Sequence, residues 1–135
     1  MYVANVKTDF DPLPLVPCRA GDINQVFLNI IVNAAHAIQD IVGNSGDKGT
    51  ITVATRKGSS HVAIMISDTG NGISANNRDK IFDPFFTTKE VGRGTGQGLA
   101  IAHDIIVERH DGIIDVRSEV GKGTTFIISL PYKEQ

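Results

Sequence analysis

The chain has 135 residues, 41% of them hydrophobic, enough for one compact domain with one core. A formal charge of -2 and a pI near 6.0 exclude a ready basic surface for nucleic acid, although local cationic clusters can still serve a small anion. Its single cysteine, Cys18, excludes an internal disulfide framework or thiolate metal cluster, which suits a reducing cytoplasm, and neither a signal peptide nor an apolar run of roughly 20 residues is evident.

In chain order, residues 3–8 alternate weakly and predict an edge strand. Pro12, Pro14 and Pro17 then break the chain, with room for one short strand at Leu15 and Val16. Asp22 reads as the N-cap of a long helix over 22–42. Its apolar positions Ile23, Val26, Phe27, Ile30, Ile31, Ala34, Ala37, Ile38 and Ile41 keep helical spacing. A Gly- and Asn-rich loop at 43–49 leads to a predicted hairpin of strands 50–57 and 61–67, turning at Gly58. From 68 to 98 the sequence is glycine-rich, with one short helix expected near 75–81. A second helix is expected from Thr95 to Arg109, stopped by Gly112. Strands at 113–118 and 124–130 close the chain, turning at Gly121-Lys122-Gly123. Hairpins combined with helices predict an α/β (α+β) two-layer sandwich: one mixed, mostly antiparallel sheet with about three helices on one face and the other face open.

The usual phosphate cradles, the P-loop, the dinucleotide fingerprint and the protein-kinase signatures, are missing. Three segments suggest another way to hold a nucleotide. In Asn29-Ile30-Ile31-Val32-Asn33-Ala34-Ala35-His36-Ala37, Asn29 and Asn33 are four residues apart and project on one helix face beside the apolar stripe. An amide oxygen is a hard, neutral ligand suited to Mg²⁺, though alone the pair reads equally as solvent-facing amides. Asp68-Thr69-Gly70-Asn71-Gly72-Ile73 follows a strand directly. A carboxylate at a strand end can accept a hydrogen bond from adenine's exocyclic amine, whereas guanine presents a carbonyl there; alone, the segment is also an ordinary Asp/Gly turn. Gly92-Arg93-Gly94-Thr95-Gly96-Gln97-Gly98-Leu99 runs into a helix, and its glycines expose backbone N–H groups suited to phosphate, with Lys89 and Arg93 adding positive charge. Strand parity puts Thr124 on the same face as Phe126, Ile128 and Leu130, so Thr124, not Thr125, is the hydroxyl able to reach a ligand between sheet and helices.

In order and spacing these segments resemble the catalytic ATP-binding domain of bacterial sensor histidine kinases, of the Bergerat type, over nearly the whole chain. Residues 25–37 are similar to that family's N box and 68–73 to its G1 box. Ile81-Phe82-Asp83-Pro84-Phe85-Phe86 is similar to its F box, 94–99 to its G2 box and 121–126 to its closing strand. The run from Asp83 to Lys89 resembles the nitrogen-regulatory and hybrid kinase branch. The resemblance implies ATP and Mg²⁺ as ligands. It makes Asn33 the metal ligand, with Asn29 nearby as the second catalytic candidate, and Asp68 the reader of adenine. Gly70, Gly72 and Ile73 shape the base pocket. Gly94, Thr95, Gly96, Gln97, Gly98 and Leu99 lie at the phosphates. Residues 74–94 form an ATP lid anchored by Phe82, Phe85 and Phe86, which alternatively fill the core or meet a partner.

Residues 1–135 then form one catalytic domain without the dimerisation and phospho-acceptor domain. Its partners are that histidine-bearing domain and, indirectly, a response regulator, in the cytoplasm or the cytoplasmic part of a membrane-bound sensor. The sequence departs from the family at His36, where Lys or Arg is common, and at Gln97, where leucine is. None of His61, His103 and His110 has the context of a phospho-acceptor. A hydrolytic ATPase of the gyrase type would place Glu at position 29, where this chain has an amide unable to take a proton. A stand-alone serine kinase and anti-sigma switch protein of the same fold is the other alternative.

Overall fold

The computed structural model describes residues 4–12, 16, 18–43, 45, 47–83 and 98–132. One five-stranded sheet carries the fold. Its strands are β1 (Ala4–Phe10), β2 (Gly49–Lys57), β3 (His61–Asp68), β4 (Ile113–Glu119) and β5 (Gly123–Pro131), in the spatial order β1-β2-β3-β5-β4. β1 lies parallel to β2 at the sheet edge, and the other neighbours are antiparallel. The edge strand therefore forms as expected. No strand forms at Val16, and Leu15 lies outside the described residues.

Helix α1 (Ala20–Val42) crosses the sheet. Ile23, Val26, Ile30, Ala34 and Ile38 are its buried stripe, set against Ile51, Ile66, Phe126 and Ile128 of the strands. By length and composition α1 could cross a membrane, contrary to the sequence reading that no run comes close. Its amides and its packing on the sheet make it the core helix of this domain.

Two expectations for α1 need correction. Its N-cap is Arg19 rather than Asp22, with no side-chain cap bond, and Ile23 N–H already donates to Arg19 O at 3.0 Å. Asp22 sits inside the first turn, where its carboxylate suits the helix dipole and lies 3.5 Å from the Arg109 guanidinium. Ile41 is exposed, because the helix end overhangs the sheet.

Helix α2 is shorter than expected, Ala75–Arg78, N-capped by Ser74, whose Oγ accepts from Asn77 N–H at 3.3 Å. A turn follows, and Ile81 drops into the core. Helix α3 (Gly98–His103) does not continue as a plain α-helix to Arg109. Residues Asp104–Arg109 form a π-helical turn that buries both Ile105 and Ile106. His110 closes it: Nδ1–H donates to Ile105 O at 2.8 Å, and Nε2 accepts Arg19 N–H at 2.9 Å. One neutral imidazole tautomer thus ties the end of this segment to the start of α1. Thr95, the expected helix start, lies outside the described residues.

Parity holds on the strands. Thr124, Phe126, Ile128 and Leu130 are all buried beneath the helices, while Ser67 and Thr125 exchange a 2.8 Å hydroxyl contact on the other side. The sheet's outer face carries no helix among the described residues.

Candidate functional site

Strand β3 ends in Asp68, which is only 9% exposed. Alternation puts it on the same face as Ile64 and Ile66, so the pleat forces a carboxylate toward the helix layer. Burial pushes its pKa above the usual carboxylate value, opposed by hydrogen bonds from the backbone N–H groups of Gly70 and Thr124. The Gly70 N–H donates to Asp68 Oδ1 at 2.8 Å. Two fixed N–H groups orient the carboxylate and leave it lone pairs for a ligand's donor.

The loop after Asp68 is pressed onto α1. A Cβ at Gly70 would lie 2.6 Å from the Ala37 Cβ and 2.7 Å from its carbonyl carbon, so only glycine allows this approach. Gly72 has φ +78°, and a Cβ there would collide with the backbone of Glu119. The β4–β5 hairpin closes the loop from the other side: Gly121 N–H donates to Asn71 O at 2.9 Å. Ile73 N–H donates to Ser118 Oγ at 2.7 Å, and its side chain packs on the core.

Asn29, Asn33 and His36 lie on one half-buried face of α1, as the spacing predicts. Asn29 Nδ2 donates to Gly98 O at 3.1 Å, and Asn29 Oδ1 accepts from Gln25 Nε2 at 2.8 Å. The first residue of α3 is thereby held at Asn29. A Cβ on Gly98 would make only ordinary contact with Asn29 at 3.7 Å, so close packing does not explain this glycine. Leu99 packs against the core.

Three segments far apart in sequence therefore meet along one face of α1: Gly98 at Asn29, Gly70 at Ala37, and Asn33 between them. Eight residues of helix separate the two contacts by about 12 Å, on the order of the length of a nucleoside triphosphate.

Phe82 lies 5.2 Å from the His103 ring and 6.4 Å from the Phe126 ring, edge-on to the latter. It fills the core here, one of the two roles open to it. Phe85, Phe86, Lys89, Arg93, Gly94, Thr95, Gly96 and Gln97, and with them most of the expected lid, lie outside the described residues. Two participants escaped the sequence reading. Ser118 joins the loop to the hairpin, and Arg78 donates to Ser118 O at 2.8 Å. The signal for Ser118 was parity: it is a polar residue on the inner face of β4, two positions from Val116 and four from Ile114.

A buried acceptor at a strand end, a glycine loop pressed on a helix and paired amides on that helix define an ATP-binding domain of the two-layer sandwich class. The chain belongs to the family described as histidine kinase-, DNA gyrase B-, and HSP90-like ATPase, which matches residues 19–134. It is 43% identical over 121 residues to the sensor histidine kinase ZraS of Escherichia coli (strain K12), a match covering 90% of this chain and 24% of ZraS. The chain thus spans about a quarter of that relative's length. The nucleotide-free catalytic domain of histidine kinase ThkA superposes with a TM-score of 0.78 at 31% identity, covering 95% of this chain and 80% of that one. ThkA in complex with the response regulator protein TrrA gives 0.73 at 28% identity, covering 95% and 34%. Full-length ShkA in complex with AMPPNP gives 0.78 at 25% identity, covering 95% and 25%. The chain corresponds to the ATP-binding catalytic domain of sensor histidine kinases.

Proposed function

We propose that this domain binds ATP with Mg²⁺ between α1 and the Asp68 end of the sheet and presents the γ-phosphoryl group to a histidine on a separate helical domain of the same kinase. The observation that carries the reading is the convergence of Gly98, Asn33 and Gly70 on one face of α1, beside a buried acceptor at Asp68. Asp68 accepts from adenine's amine. Gly70 and Gly72 shape the base pocket, and Thr124 stands beside Asp68 in register.

Asn33 is the residue suited to Mg²⁺: a half-buried amide between the base end and the phosphate end supplies one hard oxygen and leaves the remaining ligands to phosphate and water. When bound, the ion neutralises phosphate charge. Gly94, Gly96 and Gly98, with Lys89 and Arg93, receive the phosphates, and residues 74–94 close over them as a lid. A neutral His36 imidazole supplies no charge, so cationic help comes from the lid.

In the transfer, a nitrogen of the acceptor imidazole bonds to the γ-phosphorus, the bond to the β,γ-bridging oxygen breaks, and ADP leaves. Positioning and charge neutralisation provide the rate. Neither end of the Asn29 amide can serve as a base for water, so the isolated domain binds ATP and turns it over slowly. Full-length ShkA bound to AMPPNP supports the nucleotide site, and ThkA with a response regulator supports the downstream partner. The reaction belongs to the cytoplasm or the cytoplasmic part of a membrane-bound sensor.

The test mixes this domain, radiolabelled ATP and a separately produced helical domain carrying the acceptor histidine. Label is expected on that domain, in an acid-labile phosphohistidine, and not on this chain. Brisk ATP hydrolysis by the chain alone, or label on a serine, would refute the reading.

A further inference from the structure

The register of the sheet puts Asp68, Thr124 and Ser118 in one row across β3, β5 and β4, since Asp68 pairs with Thr124 and Ser118 pairs with Thr124. All three lie on the face under the helices, where Thr124 is only 5% exposed. A serine hydroxyl has one proton and two lone pairs. Ser118 Oγ accepts Ile73 N–H at 2.7 Å and donates its proton to Gly123 O at 3.0 Å. Its remaining contact is Thr124 Oγ1 at 2.8 Å. An amide N–H can only donate and a carbonyl can only accept, so the Ser118 proton is committed. Thr124 must donate its own proton to Ser118, and Thr124 Oγ1 has only lone pairs left for the space beside Asp68.

We infer that Ser118 is a positioning residue that sets base selectivity: it spends the Thr124 proton, so that Thr124 and Asp68 together face the ligand as acceptors. An acceptor-only pair matches adenine's exocyclic amine and opposes the carbonyl of guanine. The inference rests on the reading of Asp68 as the residue that meets the base. Ser118 does a second thing at once. Through Ile73 it holds the loop that carries Gly70 and Gly72, and Arg78 braces it by donating to Ser118 O. Without the Ser118 hydroxyl the Thr124 proton is released, and Thr124 can turn it toward a guanine carbonyl.

The experiment measures ATP and GTP affinity by calorimetry, with melting temperature alongside, for wild type, Ser118→Ala, Ser118→Thr, Thr124→Val and the double variant Ser118→Ala/Thr124→Val. In Ser118→Ala the ATP-to-GTP affinity ratio is expected to fall about tenfold, the weight of roughly one hydrogen bond to the base. Ser118→Thr keeps a hydroxyl and restores the ratio. Thr124→Val lowers the ratio to a similar extent, and the double variant lowers it no further. A role confined to holding the loop would instead weaken both nucleotides in proportion, and an unchanged ratio in Ser118→Ala overturns the inference. Should Ser118→Ala not fold, an unchanged ratio in Thr124→Val overturns it equally, since that variant keeps the Ser118 bonds to Ile73 and Gly123. Failure of the underlying reading is separate: a wild-type chain that binds ATP and GTP alike refutes the role of Asp68, and the inference falls with it.

Discussion

Replacing Gly70 with alanine tests whether the base pocket is built by pressing the loop onto α1. The added Cβ would sit 2.6 Å from Ala37 Cβ, 2.7 Å from Ala37 C and 2.9 Å from Ala37 O. Ordinary contact begins near 3.4 Å, and two of these three atoms are helix backbone in the middle of α1, which cannot yield as a flexible side chain would. The loop must therefore lift off the helix. Overpacking of this kind costs roughly 1–3 kcal/mol. The Gly70 N–H bond to the Asp68 carboxylate, 2.8 Å long, stretches as well, and a hydrogen bond to a charged group is worth about 1.5–3 kcal/mol. Part of the two costs is one distortion counted twice, so a net loss of about 2 kcal/mol is expected, which lowers the melting temperature by roughly 6–10 °C. ATP affinity should fall more than the stability change alone requires, by about tenfold or more, because Asp68 loses one of the two donors that orient it. Gly21→Ala is the control: nothing lies within 4 Å of its Cβ, it sits in the first turn of α1, and alanine there should raise stability by up to about 1 kcal/mol. Differential scanning fluorimetry and calorimetric titration with ATP read both quantities. Wild-type melting and wild-type affinity in Gly70→Ala would show that the loop does not depend on this contact.

Asp68→Asn separates stability from recognition. Burial raises the Asp68 pKa in the folded state, so the native protein binds this proton more tightly than the unfolded chain does; stability from this group is highest below the ordinary value of 3.8 and is lost as pH rises through the folded pKa. At pH 7 the asparagine variant should thus melt no lower than wild type, with the difference between them closing toward about pH 4, whereas its preference for ATP over GTP should drop about tenfold or invert because the amide offers a donor. A variant clearly less stable than wild type at pH 7 would contradict the sign. Asn33→Ala should weaken ATP binding about tenfold with Mg²⁺ present and little in chelator, on the order of one lost metal or polar contact; equal loss in both conditions removes the metal role.

The parts of the fold carried by periodicity were legible in the sequence. α1, four of the strands and the inward face of Thr124, Phe126, Ile128 and Leu130 follow from spacings of 3.6 and 2. The helix start was misplaced because Asp22 has the chemistry of a cap while its carboxylate is drawn to Arg109, a partner 87 positions away that no local pattern reveals. The π-helical turn was not legible for a similar reason. Its end is fixed by His110, whose two ring nitrogens bond Ile105 O and the distant Arg19 N–H. At the site, Asp68, Gly70, Gly72 and Asn33 could be nominated by residue type and order. That Gly70 meets Ala37 and that Gly98 meets Asn29 depends on the crossing of α1 over the sheet, which spacing alone does not give. Ser118 was missed because attention to the last hairpin fell on its glycines and threonines rather than on the polar residue facing inward from β4.

Asn29 decides what kind of chemistry this arrangement performs. A hydrolytic relative would need a base here to take a proton from water. In this chain both ends of the side chain are already engaged: Nδ2 donates to Gly98 O at 3.1 Å, and Oδ1 accepts from Gln25 Nε2 at 2.8 Å. An amide so held neither accepts a proton nor swings toward a water. What it does is join α1 to the first turn of α3, where the phosphate-facing glycines lead in. The position that would carry hydrolytic chemistry thus supplies alignment between the helix that holds Asn33 and the segment expected at the phosphates. A domain that aligns ATP without activating water protects the γ-phosphoryl group until a nucleophile arrives from elsewhere, which is the property a histidine-phosphorylating kinase requires. Asn29→Glu would test this directly. A glutamate there loses the donor to Gly98 O and gains a base, so ATP hydrolysis by the isolated domain should rise while transfer to an added histidine domain falls. If hydrolysis stays at the wild-type level and transfer is unaffected, the amide has no part in the alignment, and the slow turnover must be traced to the lid instead.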